Sequence, residues 1–152
     1  MGFGHMFIST RVRYGVRALI ELGMNYQKQA VLLKDISKRQ NLSLKYLDHI
    51  FMQLKTKGII KKIKAKRGGY LLAKSPENIT LYEIIEAIEG IKKIECLEDE
   101  KVCFRSSHCG ARIVWERLNA KVDEVLKSIT LQDFVRESEK FRQMDEPVTF
   151  SI

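Results

Sequence analysis

Between His49 and Pro76 the chain has no acidic residue. Lys55, Lys57, Lys61, Lys62, Lys64, Lys66, Arg67 and Lys74 all fall in that interval. The chain as a whole carries 27 Lys+Arg against 19 Asp+Glu, a net charge of +8, so outside the interval bases and acids balance. A solvated basic face is the plain reading of any single run of lysines. Confinement of the entire excess to one stretch points instead to a polyanion, because a duplex repays such a patch by releasing condensed counterions.

Other absences narrow the class. No run of about 18 apolar residues occurs, which excludes a membrane-spanning helix. No secretory leader pattern is visible, so a cytoplasmic location is expected. Lys66-Arg67-Gly68-Gly69 is a turn rather than a phosphate-cradling loop. No nucleophile–base–orienter set stands out, so an enzyme is disfavoured and no small-molecule substrate is evident. The three cysteines are an odd number with no closely spaced pair, which argues against a self-contained disulfide framework.

What is present suffices for one compact domain: 152 residues, 45% hydrophobic. Residues 1–6 (Met-Gly-Phe-Gly-His-Met) read as a cloning remnant, with Met6 the natural start, and His5 is set aside with them. A helix is expected over Thr10 to Gln27, with Arg13, Arg17 and Glu21 at four-residue steps along one stripe. Arg11 and Arg13 at its start are candidates for phosphate, against ordinary surface charge. Leu33 to Gln40 reads as a short helix with Leu33 and Ile36 inward, and Asn41-Leu42 as a turn. Ser43 then caps a helix whose Leu44, Leu47, Ile50, Phe51 and Leu54 recur at helical steps and whose other face carries Lys45, Tyr46, Asp48, His49 and Gln53. Gly58 closes it. Two β-prone runs, from Ile59 to Lys64 and from Tyr70 to Leu72, flank Gly68-Gly69 and read as a hairpin. A polar-faced helix followed by a basic hairpin is the layout of a winged helix-turn-helix.

Thr80-Leu81-Tyr82-Glu83 is a capping box. It opens a helix with Leu81, Ile84, Ile85 and Ile88 inward, ended by Gly90. Residues 91–110 lose all period and hold Cys96, Cys103 and Cys109. Ala111, Trp115, Leu118, Val122, Val125 and Ile129 then alternate steps of four and three, an a/d seam of the kind that pairs helices. Packing on the chain's own core is the competing reading; a seam this regular favours self-association through Trp115, Leu118, Val122 and Val125. A short last helix is expected from Thr130-Leu131-Gln132-Asp133 to residue 138, and residues 139–152 are expected to be a loose tail.

The cysteine spacing is six and then five intervening residues. Zinc sites pair cysteines at roughly two to four, so zinc is weakly supported. Wider-spaced thiolates on a loop suit an iron–sulfur cluster, whose irons need ligands from several directions. Spacing alone leaves a cluster and a set of inert or redox-active thiols on equal terms. His108 is the local nitrogen donor for a fourth position; Glu95, Glu98, Asp99 and Glu100 offer oxygen.

The stretch from Ser9 to Leu19 (Ser-Thr-Arg-Val-Arg-Tyr-Gly-Val-Arg-Ala-Leu) resembles the opening of the Rrf-two family of bacterial winged helix-turn-helix regulators. So do Asp35-Ile36-Ser37, Leu42-Ser43-Leu44-Lys45-Tyr46-Leu47, the Gly68-Gly69-Tyr70-Leu71-Leu72 wing, and Ser128-Ile129-Thr130-Leu131-Gln132-Asp133. The similarity runs from about Ser9 to Val135, and the set is more specific than any one motif. The three cysteines, followed by Trp115, resemble the iron–sulfur branch of the family (the IscR type) and its nitric-oxide-sensing relatives. That resemblance implies a mainly α fold and a homodimer on double-stranded DNA. It also implies a 2Fe–2S cluster, less often 4Fe–4S, on Cys96, Cys103 and Cys109. Where the IscR type has a histidine three residues past the last cysteine, this chain has Arg112. Where the nitric-oxide-sensing branch takes an acid from the first helix of the partner, it has Arg13. Three ligands therefore carry over and the fourth is open. Members lacking cysteines sense sulfur metabolism through a partner enzyme; the three cysteines set this chain apart from them.

With this layout, Ser43, Lys45, Tyr46, Asp48 and His49 are placed for a major groove, with Asp48 accepting from a cytosine amine or repelling wrong sites. Lys64, Lys66 and Arg67 are placed for phosphate or the minor groove. A thiol-switch or zinc-dependent DNA-binding regulator without a cluster is the nearer alternative, and a small thiol enzyme the more distant one.

Overall fold

The computed structural model describes residues 8–64 and 66–145. The chain begins with α1 (Thr10–Met24), whose first turn is capped by the Ser9 hydroxyl accepting from the Val12 amide at 3.1 Å. Val12, Ala18 and Leu19 of α1 are wholly buried. The helix stops at Met24, short of Gln27. Asn25 caps it and donates its side-chain amide to the Glu21 carbonyl at 2.8 Å, and Gln27 adopts a left-handed φ of 61° that turns the chain away. These side-chain and backbone choices end the helix where apolar periodicity alone would run on.

Next come α2 (Leu33–Gln40) and α3 (Leu44–Thr56). Asn41 makes the turn between them in the left-handed region at φ 51°, a conformation asparagine tolerates better than most residues. The Ser43 hydroxyl accepts from the Tyr46 amide at 3.3 Å, and Leu47, Ile50, Phe51 and Leu54 are fully buried against α1, α2 and the sheet. Each contributes on the order of 2 kcal/mol by leaving water. Leu44, expected inward, is 48% exposed. It lies on the first turn, at the edge of the stripe formed by the other four.

Strands β1 (Ile60–Lys62) and β2 (Tyr70–Leu72) pair antiparallel with Ile60 opposite Leu72. The wing is longer than a tight Gly-Gly turn: Ile63 donates to the Gly69 carbonyl at 2.9 Å, and the loop lies between them. On the far side of β2, Val31 exchanges two backbone hydrogen bonds with Tyr70 at 3.0 and 2.8 Å, so the α1–α2 connection adds a third pairing to the hairpin. Gly69 has φ 109°, and a Cβ there would meet the Val31 carbonyl oxygen at 3.0 Å; glycine is required on both counts.

Helix α4 (Leu81–Ile88) opens on the expected capping box. Thr130 and Asp133 form a second one at the start of α7 (Leu131–Asp145): the Asp133 carboxylate accepts from the Thr130 amide at 2.8 Å. The two helix starts are clasped back to back, Leu81 donating to the Ile129 carbonyl and Leu131 to the Ile79 carbonyl, both at 2.8 Å. From that clasp α7 returns along α1, where Leu131 and Val135 are buried. The last helix is therefore not short. Glu139–Asp145, expected to be loose, are helical and held by the Lys140–Glu137 ion pair and by Arg142 reaching back to Glu21; the remainder of the expected tail, 146–152, lies outside the described residues, as does residues 1–6. Between α4 and α7 the chain forms a short helix α5 (Glu95–Glu98), two 3-10 turns, and the 19-residue α6 (Gly110–Ser128), in which no residue is buried.

Candidate nucleic-acid interface and cysteine loop

The outer face of α3 presents Lys45, Tyr46, Asp48, His49, Met52 and Lys55 to solvent. Tyr46 meets Tyr14 of α1 edge-on, ring centroids 6.0 Å apart, and the Arg17 guanidinium lies 5.5 Å over the Tyr14 ring. Tyr46, one of the residues expected at a groove, is thus braced from α1. Ser43 already accepts the Tyr46 amide, which leaves its hydroxyl proton free to donate. Arg11 is tied to the same helix: its guanidinium donates to Gln53 Oε1 at 2.6 Å, and its Nε is buried without a partner. Arg13 is exposed and bonded to Thr10 Oγ1 at 2.9 Å. The two arginines that look alike in the sequence are therefore placed differently, Arg11 as a strut between α1 and α3 and Arg13 at the surface.

On the wing, Lys61, Lys62, Lys64, Lys66 and Arg67 are all exposed. The basic stretch is not uniform, however. Lys74 leaves it to pair with Glu83 at 2.8 Å on the far side of the hairpin. Burial pushes the Glu83 carboxyl up, but the Lys74 hydrogen bond, the Thr80 amide and hydroxyl and the Lys74 charge together hold it below the usual glutamate range.

The cysteine loop is built around two polar side chains. Ser106 is buried, and its hydroxyl is shared between the carbonyls of Glu100 and Cys103, 2.6 Å from each. Arg112, on the first turn of α6, donates to Glu100 Oε1 at 3.1 Å and to the Ser106 carbonyl at 3.4 Å, with its Nε 3.6 Å from Glu116. The Glu100 hydrogen bond leads the interactions that favour its charged form, burial opposes them, and Glu116 and Cys96 add to it. Cys96, Cys103 and Cys109 are half-buried free thiols. Among the described residues no three His, Cys, Asp or Glu side chains are gathered closely enough to hold a metal ion. His108 is exposed, its Nδ1 2.8 Å from the Ser107 hydroxyl. The donor chemistry, three thiols on one loop with Arg112 bonded to both segments between them, suits a thiolate-bound group.

Helix α6 leaves its seam open. Trp115, Leu118 and Val125 are 42%, 49% and 55% exposed, while Val122 is half-buried. Arg112, Asn119, Asp123 and Leu126 face the rest of the chain instead. The described residues include no helix long and apolar enough to cross a membrane.

Sequence reasoning missed one buried charge. Glu21 is 3% exposed. It accepts from Gln40 Nε2 at 2.7 Å, from Arg39 at 3.3 Å and from Arg142 at 3.5 Å, joining α1 to the end of α2 and to α7. Its place on a charged stripe read as surface, because nothing local marks which stripe another helix covers.

Comparison with known proteins agrees with this architecture. A family profile described as Rrf2, iron-dependent transcriptional regulator, matches residues 8–137. The HTH-type transcriptional regulator CymR of Bacillus subtilis is 39% identical over 129 residues, covering 84% of this chain and 88% of the relative. The regulator IscR of Pectobacterium carotovorum is 31% identical over 135 residues, covering 88% and 82%. Among solved structures, T. potens IscR superimposes with a TM-score of 0.70 at 33% identity, covering 91% of this chain and 93% of that one. CymR of B. subtilis, described as a global cysteine regulator, superimposes with a TM-score of 0.69 at 33% identity, covering 87% and 98%.

Proposed function

Because this chain belongs to the Rrf2 family of transcriptional regulators, related to IscR and CymR, we propose that it acts as a homodimer on double-stranded DNA, with binding modulated through an iron–sulfur cluster on Cys96, Cys103 and Cys109. The observation that carries the DNA reading is the acid-free stretch after His49, whose bases stand exposed on the wing beside the polar face of α3. Helix α3 enters the major groove, with Lys45, Tyr46 and His49 reaching base edges or phosphates, Ser43 donating to a phosphate at the helix N-terminus, and Asp48 restricting which bases are accepted. Lys64, Lys66 and Arg67 hold the flanking backbone, and Arg13 contributes at the edge.

Titrating a duplex at several salt concentrations tests this. Each phosphate contact contributes about −0.9 to the slope of log affinity against log salt. Lys64→Ala is expected to weaken binding to all sequences alike and to flatten that slope by roughly one contact. Salt-insensitive binding would remove the wing from the contact surface.

The dimer rests on the open part of the α6 seam, where Trp115, Leu118 and Val125 stand exposed while Val122 is half-buried and Ile129 packs on the chain's own core. A second α6 buries Trp115, Leu118 and Val125 and carries two recognition helices to successive turns of the duplex. When bound, the cluster supplies an oxidant- and ligand-responsive centre; the chain supplies the three thiolates and the Arg112 charge beside them. Visible absorption together with iron and sulfide after anaerobic isolation is expected, and Ser at any of the three cysteines should abolish it, because a hard oxygen is a poor substitute for thiolate on iron. His108→Ala should weaken it less. The second reading, a thiol switch without a cluster, is favoured by the absence of a gathered metal-binding group among the described residues; a colourless, iron-free protein whose DNA binding follows thiol oxidation would select it.

A further inference from the structure

Arg112 sits at the point where the cysteine loop joins α6, and its contacts reach both intercysteine segments. Glu100 lies between Cys96 and Cys103; Ser106 lies between Cys103 and Cys109. Arg112 donates to the first through its carboxylate and to the second through its carbonyl. Its side chain is 18% exposed, although no residue of α6 is fully buried. Ser106, buried between the carbonyls of Glu100 and Cys103, ties the same two segments from within. No apolar core lies under this loop: Val102 and Phe104 are 55% and 91% exposed. Polar bonds must therefore supply its order, and Arg112 makes the longest-reaching of them.

We propose that Arg112 is the positioning residue of the thiol site: it holds Glu100 and Ser106, and through them the two segments that carry the three cysteines. This deepens, and rests on, the reading of the cysteines as a metal or cluster site. The chemistry explains why arginine suits the position. A guanidinium is not a metal donor, so it does not compete for the site. Its planar fork serves a carboxylate and a carbonyl at once and still presents charge toward thiolates. A lysine keeps the charge but, as a single point donor, does not bridge the two segments in fixed geometry.

The test uses the full-length, reduced, metal-free protein and reads backbone hydrogen exchange across residues 95–109. In Arg112→Ala the amides of Asp99, Val102, Ser106 and His108, which close the turns of this loop, are expected to exchange faster by up to about fivefold, the factor that losing an ion pair with so exposed a carboxylate supports. Amides in α1, α3 and α4 should be unchanged. Arg112→Lys should fall between the two. The same proteins are then offered ferrous iron with sulfide, and separately Zn²⁺, anaerobically. Slower uptake and lower final occupancy in Arg112→Ala than in the unaltered protein are expected, with partial rescue in Arg112→Lys. Unchanged exchange across 95–109 in Arg112→Ala overturns the proposal, and so does faster exchange with metal uptake equal to that of the unaltered protein. If the unaltered protein takes up neither probe, the metal-site reading and the positioning role that rests on it fall together. Uptake of Zn²⁺ without iron and sulfide removes the cluster alone and leaves the positioning role to be judged by the exchange and zinc results.

Discussion

Replacing Glu21 with alanine is the perturbation that most directly tests how this domain is tied together. The carboxylate is almost fully buried and satisfies Gln40, Arg39 and Arg142 at once. Breaking a fully buried ion pair costs about 3–5 kcal/mol, mainly because the surviving charge is stranded out of water. Here the survivors are not stranded, since the Arg39 and Arg142 side chains are 52% and 58% exposed and rehydrate freely. What is lost is the hydrogen bonding of a buried anion and some packing, which places the cost at about 2–3 kcal/mol. For a domain of this size that is a fall in Tm of roughly 4–12 °C. Arg39→Ala and Arg142→Ala, each removing one exposed cation, should cost under about 1 kcal/mol apiece. The double variants with Glu21→Ala should show almost no additional loss, because the second residue then has nothing to hold. Thermal unfolding followed by circular dichroism measures the parent and all five variants. A Glu21→Ala protein as stable as the parent, or an Arg142→Ala protein destabilised just as much in the absence of Glu21, would refute the account of Glu21 as the shared anchor of α2 and α7.

Three further expectations follow from single contacts. A Cβ on Gly23 would meet Val135 Cγ2 at 2.5 Å, and one on Gly15 would meet Ile88 Cδ1 at 2.5 Å. Valine is stiff at χ1 whereas the isoleucine terminus can swing away, so Gly23→Ala should destabilise by about 1–2 kcal/mol and Gly15→Ala by less, as chemical denaturation will show; equal effects would contradict this. Trp115→Glu should yield a monomer by sedimentation and weaken operator binding, because it puts a charge into the seam; a monomeric unaltered protein would sink the dimer itself. Lys74→Ala lets the Glu83 carboxyl rise. A carboxyl held low when folded stabilises the fold above its unfolded pKa and loses that contribution as pH falls through the folded value. The parent should therefore exceed the variant by up to about 1 kcal/mol near neutrality, since the pair is partly exposed, and the gap should close toward acid pH. A constant gap would mean that packing, not charge, sets it.

The amino-acid sequence by itself determined the elements whose signals are local. Helix-turn-helix and hairpin were legible because Leu47, Ile50, Phe51 and Leu54 repeat at the helical period and because the glycines at 58, 68 and 69 mark chain reversals, here with φ from 65° to 109°. The Thr80–Glu83 box was legible because capping is a four-residue event. The acid-free stretch could be counted directly, and the α6 seam was legible as a repeat, though only the fold showed Trp115, Leu118 and Val125 left exposed.

Only the tertiary structure decided which equivalent-looking residues do different things. Arg11 braces Gln53 while Arg13 stands at the surface, and Lys74 of the basic run turns to Glu83. Glu21 is buried where α2 and α7 meet its stripe, and α7 runs on to Asp145 past Arg142, which reaches that carboxylate. Val31 pairs with the wing, and Arg112 fills the cysteine loop. In each case the deciding partner is distant in the chain or lies outside the repeating pattern. Periodicity reports how a helix divides its own faces; what meets those faces, and which charge finds water, is settled only when the segments pack.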